Sequence, residues 1–263
     1  MSAGPAAELP TASSSLSAQY LGPDGPFASL LPGFAPRQQQ LQMASAVDRL
    51  LASDTDGSEI SNCLVIEAGT GIGKTLAYLV PALLSGQRCI VSTGTKTLQD
   101  QLYFRDLPLV VQALDQARSL KVKTALLKGR ANYLCLHRMD LAVRDGRLPS
   151  REAVTELAAV RDWANRTIDG DLSITPVISD SSGLLPLVTS TPENCLGSEC
   201  PRFEECFVAR ARREAQDADV VVVNHHLLFA DMAIKQSGFG EVLPGAEAFI
   251  IDEAHLAPET ATH

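Results

Sequence analysis

Two short blocks, far apart in the chain, carry residue types suited to phosphate chemistry. Ala68-Gly69-Thr70-Gly71-Ile72-Gly73-Lys74-Thr75 follows the apolar run Cys63-Leu64-Val65-Ile66, and Asp252-Glu253-Ala254-His255 follows Ala248-Phe249-Ile250-Ile251. In the first, the glycines allow successive backbone amides to turn inward on an anion without a Cβ clash. Lys74 has the reach for β and γ phosphates, and the Thr75 hydroxyl can ligate magnesium. A helix starting at Lys74 would add its N-terminal dipole to the same anion site. In the second block Asp252 is the expected magnesium partner and Glu253 the residue that orients and deprotonates an attacking water. His255 is assigned to coupling with a neighbouring segment. The pair of blocks reads as nucleotide hydrolysis, with Lys74, Asp252 and Glu253 as its chemical centre.

Four of the six cysteines, Cys135, then Cys195, Cys200 and Cys206, lie in the long stretch from Gly129 to Arg213 between the two blocks. Zinc ligands usually come as close pairs. One distant cysteine with three loosely spaced ones suits a [4Fe–4S] cluster bridging a long insertion. Zinc and unliganded thiols remain open on spacing alone. Cys63 and Cys89 sit in apolar runs and are expected to be buried packing residues.

The elements that must position these groups follow from hydrophobic pattern. A helix is expected from Pro36, with Met43, Val47, Leu50 and Leu51 as its buried stripe. Strands are expected at Cys63 to Glu67, Arg88 to Thr93, Val122 to Leu127, Ala218 to Asn224 and Ala248 to Asp252, and helices at Lys74 to Leu84 and from Thr97. Uninterrupted Val and Ile runs mark strands buried on both faces of a parallel sheet, so the fold class is α/β. From Gly129 to Arg213 this rhythm breaks into helical text, an amphipathic stretch from Ser150 to Trp163 and a loop-rich segment, the pattern of an inserted lobe.

The 263 residues carry a formal charge of −9, which argues against a general basic coat for nucleic acid but not against a local groove. No apolar run reaches the roughly 18 to 20 residues of a membrane span. Residues 1–30, rich in Ala, Ser, Pro and Gly and almost uncharged, lack the basic start and apolar core of a secretory signal and are expected to be a disordered tail. The cytoplasm is then the default compartment, and structural disulfides are not expected there.

Together these blocks resemble one family, the XPD-like iron–sulfur superfamily 2 DNA helicases in the bacterial DinG/YoaA branch. The resemblance rests on Pro36-Arg37 with Gln40 and Met43, Glu67 to Thr75, Ser92 to Leu102, Leu127 to Cys135, Asn194 to Cys200, Cys206, Asp219 to Leu228 and the terminal acidic box. Ala68 in place of the usual first glycine is the common form in superfamily 2. The resemblance implies a RecA-like P-loop motor domain with a parallel sheet, first part 31–128 and continuation 214–263. It implies an inserted, mainly helical and loop iron–sulfur domain at 129–213, whose cluster ligands match Cys135, Cys195, Cys200 and Cys206. It implies ATP held by Arg37, Gln40, Gly69, Thr70, Gly71, Gly73, Lys74 and Thr75, with Mg2+ at Thr75 and Asp252. Thr93, Thr95 and Gln99 match a DNA-phosphate-binding motif, with helix capping as the competing role for the two threonines; Arg130, Tyr133 and Arg202 are equally suited to DNA near the cluster or to solvated surface. The activity implied is 5′ to 3′ movement on single-stranded DNA and unwinding of duplex or forked DNA in repair or damage tolerance. Replication or repair proteins are possible partners, and none can be named from sequence. The family continues beyond the acidic box into a second motor domain, so the expectation is the N-terminal portion of a helicase. The alternatives are a catalytically silent ATP- and DNA-binding fragment and a zinc-dependent structural protein.

Overall fold

A computed structural model describes residues 15–53, 62–69, 71–237 and 242–261. Thr70 of the phosphate loop and residues 1–14 of the expected tail lie outside the described residues. The helices are α1 (Leu16–Tyr20), α2 (Pro26–Leu30), α3 (Gln38–Ala52), α4 (Lys74–Leu84), α5 (Lys96–Gln101), α6 (Leu107–Arg118), α7 (Leu136–Asp145), α8 (Arg151–Ala164), α9 (Leu185–Val188), α10 (Phe207–Asp217), α11 (His225–Gln236) and α12 (Ala257–Ala261). The strands are β1 (Cys89–Thr93), β2 (Thr124–Leu126), β3 (Val220–Asn224) and β4 (Ala248–Ile251). The chain divides into two compact units, one of 1–124, 218–225 and 245–263, the other of 125–217 and 226–244.

The first unit is built on the neighbouring strands β3-β1-β4. β1 pairs parallel with β3 from Cys89↔Val220 to Thr93↔Asn224, and with β4 from Cys89↔Ala248 to Ser92↔Ile251. The α/β class and parallel pairing follow the Val and Ile runs: β1 and β3 are buried at every residue. In β4 burial alternates, and Phe249 is 54 % exposed. The parallel register brings Thr93, Asn224 and Asp252 to one end of the sheet, the carboxyl end where α/β proteins bind ligands. There the Ser92 hydroxyl meets His225 Nδ1 at 2.7 Å, both buried.

Two expectations are corrected here. Cys63 to Glu67 is not a strand: Cys63 is exposed and Val65 is 88 % exposed. β-Branched residues give propensity, but a strand exists only where its backbone is paired with a neighbour, and this run is not among the strands of the sheet. The expectation of a disordered tail also fails from Ser15 to Leu30. Ser15 caps α1 by accepting from the Ala18 N–H, the Ser17 hydroxyl donates to Asp48 of α3 at 2.7 Å, and Leu21 and Phe27 are fully buried. Averaged composition hid this small apolar cluster inside a segment otherwise poor in core residues. On α3 the buried side chains are Gln40, Ala44, Ser45 and Val47, one face at three- and four-residue steps, while Met43, Leu50 and Leu51 are half-buried.

In the second unit, α8 begins where Ser150 accepts from the Ala153 N–H, and Phe207, Ala211 and Ala215 form the buried face of α10. Gly170, at φ +68°, lies under the Phe207 ring where a Cβ would stand 2.3 Å from a ring carbon. The segment ahead of α7 is tied down by Leu134 N–H to Gly170 O at 2.8 Å and Cys135 N–H to Val188 O at 2.7 Å. Beneath it lies a fully desolvated ion pair, Lys128 Nζ to Asp171 Oδ2 at 2.7 Å, and Asp171 also accepts from Ser173 N–H and Oγ. His226–Pro244 packs in this unit, although the sequence reading kept it with 214–263. Among the described residues no helix is long and apolar enough to cross a membrane.

Candidate functional site

Within the first unit, the phosphate loop and the acidic box meet. Gly71 and Gly73 adopt φ of +80° and +83°, and Gly73 caps α4. A Cβ on Gly73 would meet the Gln40 side-chain amide, and the positive φ itself favours glycine there. Gln40 Nε2 donates to Gly73 O at 3.1 Å, and Arg37 Nη1 donates to Gly71 O. Arg37 and Gln40 thus hold the loop's carbonyls from α3. Gly69 has open space around its Cβ position.

Lys74 Nζ stands 3.5 Å from Glu253 Oε1, with both side chains half-buried, and His255 Nδ1 lies 3.4 Å from Glu253 Oε2. Glu253 holds a left-handed backbone at φ +53°, uncommon for a residue with a Cβ. Asp252 accepts from its neighbour's Glu253 N–H at Oδ1 (3.0 Å) and from the Tyr78 hydroxyl at Oδ2 (2.9 Å). Tyr78 is buried on α4. Burial pushes its hydroxyl pKa well up, the Asp252 charge and hydrogen bond push it further, and a hydrogen bond with the Thr75 side chain offsets part of the rise. Sequence reasoning missed Tyr78; its spacing of three and four residues from Thr75 and Lys74 on one helix was the available signal. Thr75 and Asp252 supply a hydroxyl and a carboxylate, the hard oxygen donors that magnesium takes, and both lie within reach of Tyr78.

The block Ser92 to Leu102 divides. Thr93 and Gln99 are buried, and Gln99 Nε2 donates to Val222 O at 3.3 Å. Both side chains lie at the carboxyl end of β1 and the start of α5, Gln99 against β3. Thr95 caps α5 by accepting from the Leu98 N–H, the capping role weighed for it, and remains exposed together with Lys96 and Thr97. Lys96 is the exposed cation of this block and was not singled out from sequence.

In the second unit, Cys135, Cys195, Cys200 and Cys206 all line one cavity of about 450 Å³, together with Arg130 and Arg212. Burial pushes the Cys135 thiol pKa up, a hydrogen bond from the Arg138 backbone opposes it, and Cys206, Cys200 and Cys195 add to the rise. Burial, then Arg130, lowers the Arg212 pKa, while Cys195 and Cys206 oppose that shift. The thiols share a cavity without converging on a point: among the described residues, no group of three or more His, Cys, Asp or Glu could hold a single metal ion. All six cysteines are free thiols, and Cys63 is exposed rather than buried as its sequence context implied, whereas Cys89 is buried. Arg202 pairs with Asp140 at 3.2 Å and Glu205 at 2.6 Å.

Residues 44–131 match the family model "DEAD/DEAH box helicase". The chain is 52 % identical over 241 residues to the ATP-dependent DNA helicase YoaA of Escherichia coli K12, covering 91 % of the chain and 36 % of that protein. It is 50 % identical over 239 residues to the YoaA of Haemophilus influenzae, with the same coverage. To the ATP-dependent helicase DinG of Mycobacterium tuberculosis H37Rv it is 40 % identical over 249 residues, 88 % of the chain and 36 % of that protein. The chain therefore spans little more than a third of the length of these relatives.

Proposed function

The chain belongs to the helicases of the DinG/YoaA type, and from that membership we propose that it is the N-terminal, ATP-binding portion of a 5′ to 3′ DNA helicase of repair or damage tolerance. One observation carries the reading: Lys74 and Glu253, from two blocks far apart in the sequence, meet at one end of a parallel sheet beside Asp252. That is the pairing phosphoryl transfer needs, a cation for the phosphates next to a carboxylate for water.

In this reading the loop amides and Lys74 take the β and γ phosphates, and Lys74 leaves Glu253 as it does so. Glu253 then accepts the proton of the attacking water; the water oxygen bonds to the γ phosphorus, and the bond to the β–γ bridging oxygen breaks as ADP leaves. Magnesium bound at Thr75 and Asp252 would neutralise charge developing on the phosphates. Arg37 and Gln40 keep the loop in shape. Translocation requires a second domain to close on the nucleotide; ATP binding is proposed for this portion, which spans little more than a third of its relatives' length, and unwinding for a protein of their full length. Single-stranded and forked DNA are the proposed substrates, with Thr95 and the exposed Lys96 as the phosphate contacts of their block, and the cytoplasm is the proposed location.

The cysteine cavity is proposed to hold a [4Fe–4S] cluster on Cys135, Cys195, Cys200 and Cys206. Four thiolates, one distant in sequence and three loosely spaced, suit [4Fe–4S] ligation, whereas zinc ligands usually come as closer pairs. When bound it would cross-link the distant Cys135 to the other three ligands, and Arg130 and Arg212 would offset thiolate charge.

The test is strand displacement on forks with 5′ or 3′ tails, using this chain and the same chain extended to the relatives' length. The extended protein should unwind 5′-tailed forks with ATP, and the chain alone should not. An extended protein that neither responds to single-stranded DNA nor unwinds would overturn the helicase reading.

A further inference from the structure

We propose that Tyr78 is a positioning residue for the metal arm of this site, a role that rests on the nucleotide reading above. Its hydroxyl donates to Asp252 Oδ2 at 2.9 Å, and Thr75, the other magnesium candidate, stands one helical turn before it and acts on the same hydroxyl. Thr75 and Tyr78 lie three residues apart on α4, on one face of the helix. Asp252 arrives from the opposite side, at the end of β4.

Each carboxylate oxygen has about two acceptor positions. In Asp252, Tyr78 takes one on Oδ2 and the Glu253 N–H takes one on Oδ1. The carboxylate is thereby fixed in rotation with one position free on each oxygen, the condition for a metal ligand or for a metal-bound water. Tyr78 itself is only 4 % exposed, so its ring is locked by packing and its hydroxyl has little freedom to point elsewhere. A rigid outer partner of this kind orients a ligand without touching the metal, and loss of such partners typically weakens metal affinity about ten- to a hundredfold.

The experiment measures Mn2+ binding to the full 263-residue chain by electron paramagnetic resonance, with a non-hydrolysable ATP analogue, and measures binding of the analogue without metal. Tyr78→Phe keeps the ring and removes the hydroxyl. It should weaken Mn2+ about tenfold or more while leaving metal-free binding of the analogue unchanged. In an Asp252→Asn background the same change should have no further effect on Mn2+, because the oriented ligand is already gone. Equal Mn2+ affinity in Tyr78→Phe overturns the inference and leaves the nucleotide site standing. An equal loss of metal-free binding also overturns it, since that marks a packing role. If the unsubstituted chain binds neither analogue nor Mn2+, the nucleotide reading fails and this inference with it.

Discussion

The ion pair between Lys74 and Glu253, at 3.5 Å and half-buried on both sides, joins the two groups whose separation hydrolysis requires. A lysine engaged with a carboxylate must exchange it for phosphate, so Glu253 competes with the nucleotide for the same cation. Glu253→Gln should tighten ATP binding to the chain, by up to about fivefold given the modest strength of partly exposed pairs, and the gain should shrink with added salt. Isothermal titration at two salt concentrations measures this. Unchanged or weaker binding would show that the pair does not oppose the nucleotide.

The two cysteines of the apolar runs should behave oppositely. Burial, with a smaller push from Glu247, raises the Cys89 pKa to about 11 from an ordinary value near 9.0, whereas Cys63 is exposed. Iodoacetamide at pH 8 should modify Cys63 and spare Cys89 in the folded chain, as peptide mass mapping would reveal. Because the folded value of Cys89 lies above its unfolded one, its contribution to stability is complete below pH 9 and is lost as pH rises through about 11. Alkylation of both residues at equal rates would place β1 outside the core.

Lys128 and Asp171 form a buried pair whose partners cannot be separated cheaply. Asp171→Ala strands a buried ammonium and should cost about 3–5 kcal/mol in urea denaturation. Replacing both residues by apolar ones of similar size should recover most of that loss. A single substitution costing under about 1 kcal/mol would mean that water reaches the pair.

Anaerobic loading with iron and sulfide tests the cysteine cavity. The chain should turn brown with about four irons per molecule, and Cys195→Ser should lose the colour. A colourless protein with one zinc per chain would replace the cluster with a structural zinc site.

Much of this architecture was legible from local pattern. Parallel β1 and β3 follow from Val and Ile runs buried on both faces, and α4 follows from its glycine start. The phosphate loop and acidic box were legible because each requires specific residue types at fixed spacing. What escaped was set by pairing and packing. The run from Cys63 has strand composition, yet composition does not provide a neighbouring strand. The burial of Thr93 and Gln99 at the sheet end was not legible from the motif they match, because it depends on the packing of α5 against β3. Tyr78 belongs to no motif, and only the fold brings its hydroxyl to Asp252. The helices from Leu16 to Leu30 were hidden because a few buried side chains barely change the composition of a Ser- and Pro-rich segment.

The most direct test of the account is equilibrium binding of ATP with Mg2+ to the chain and to Lys74→Ala, with folding monitored by circular dichroism. One ATP should bind per unsubstituted chain, Mg2+-dependent, and that binding should be lost in Lys74→Ala with the fold retained. Binding of equal strength in Lys74→Ala would contradict it.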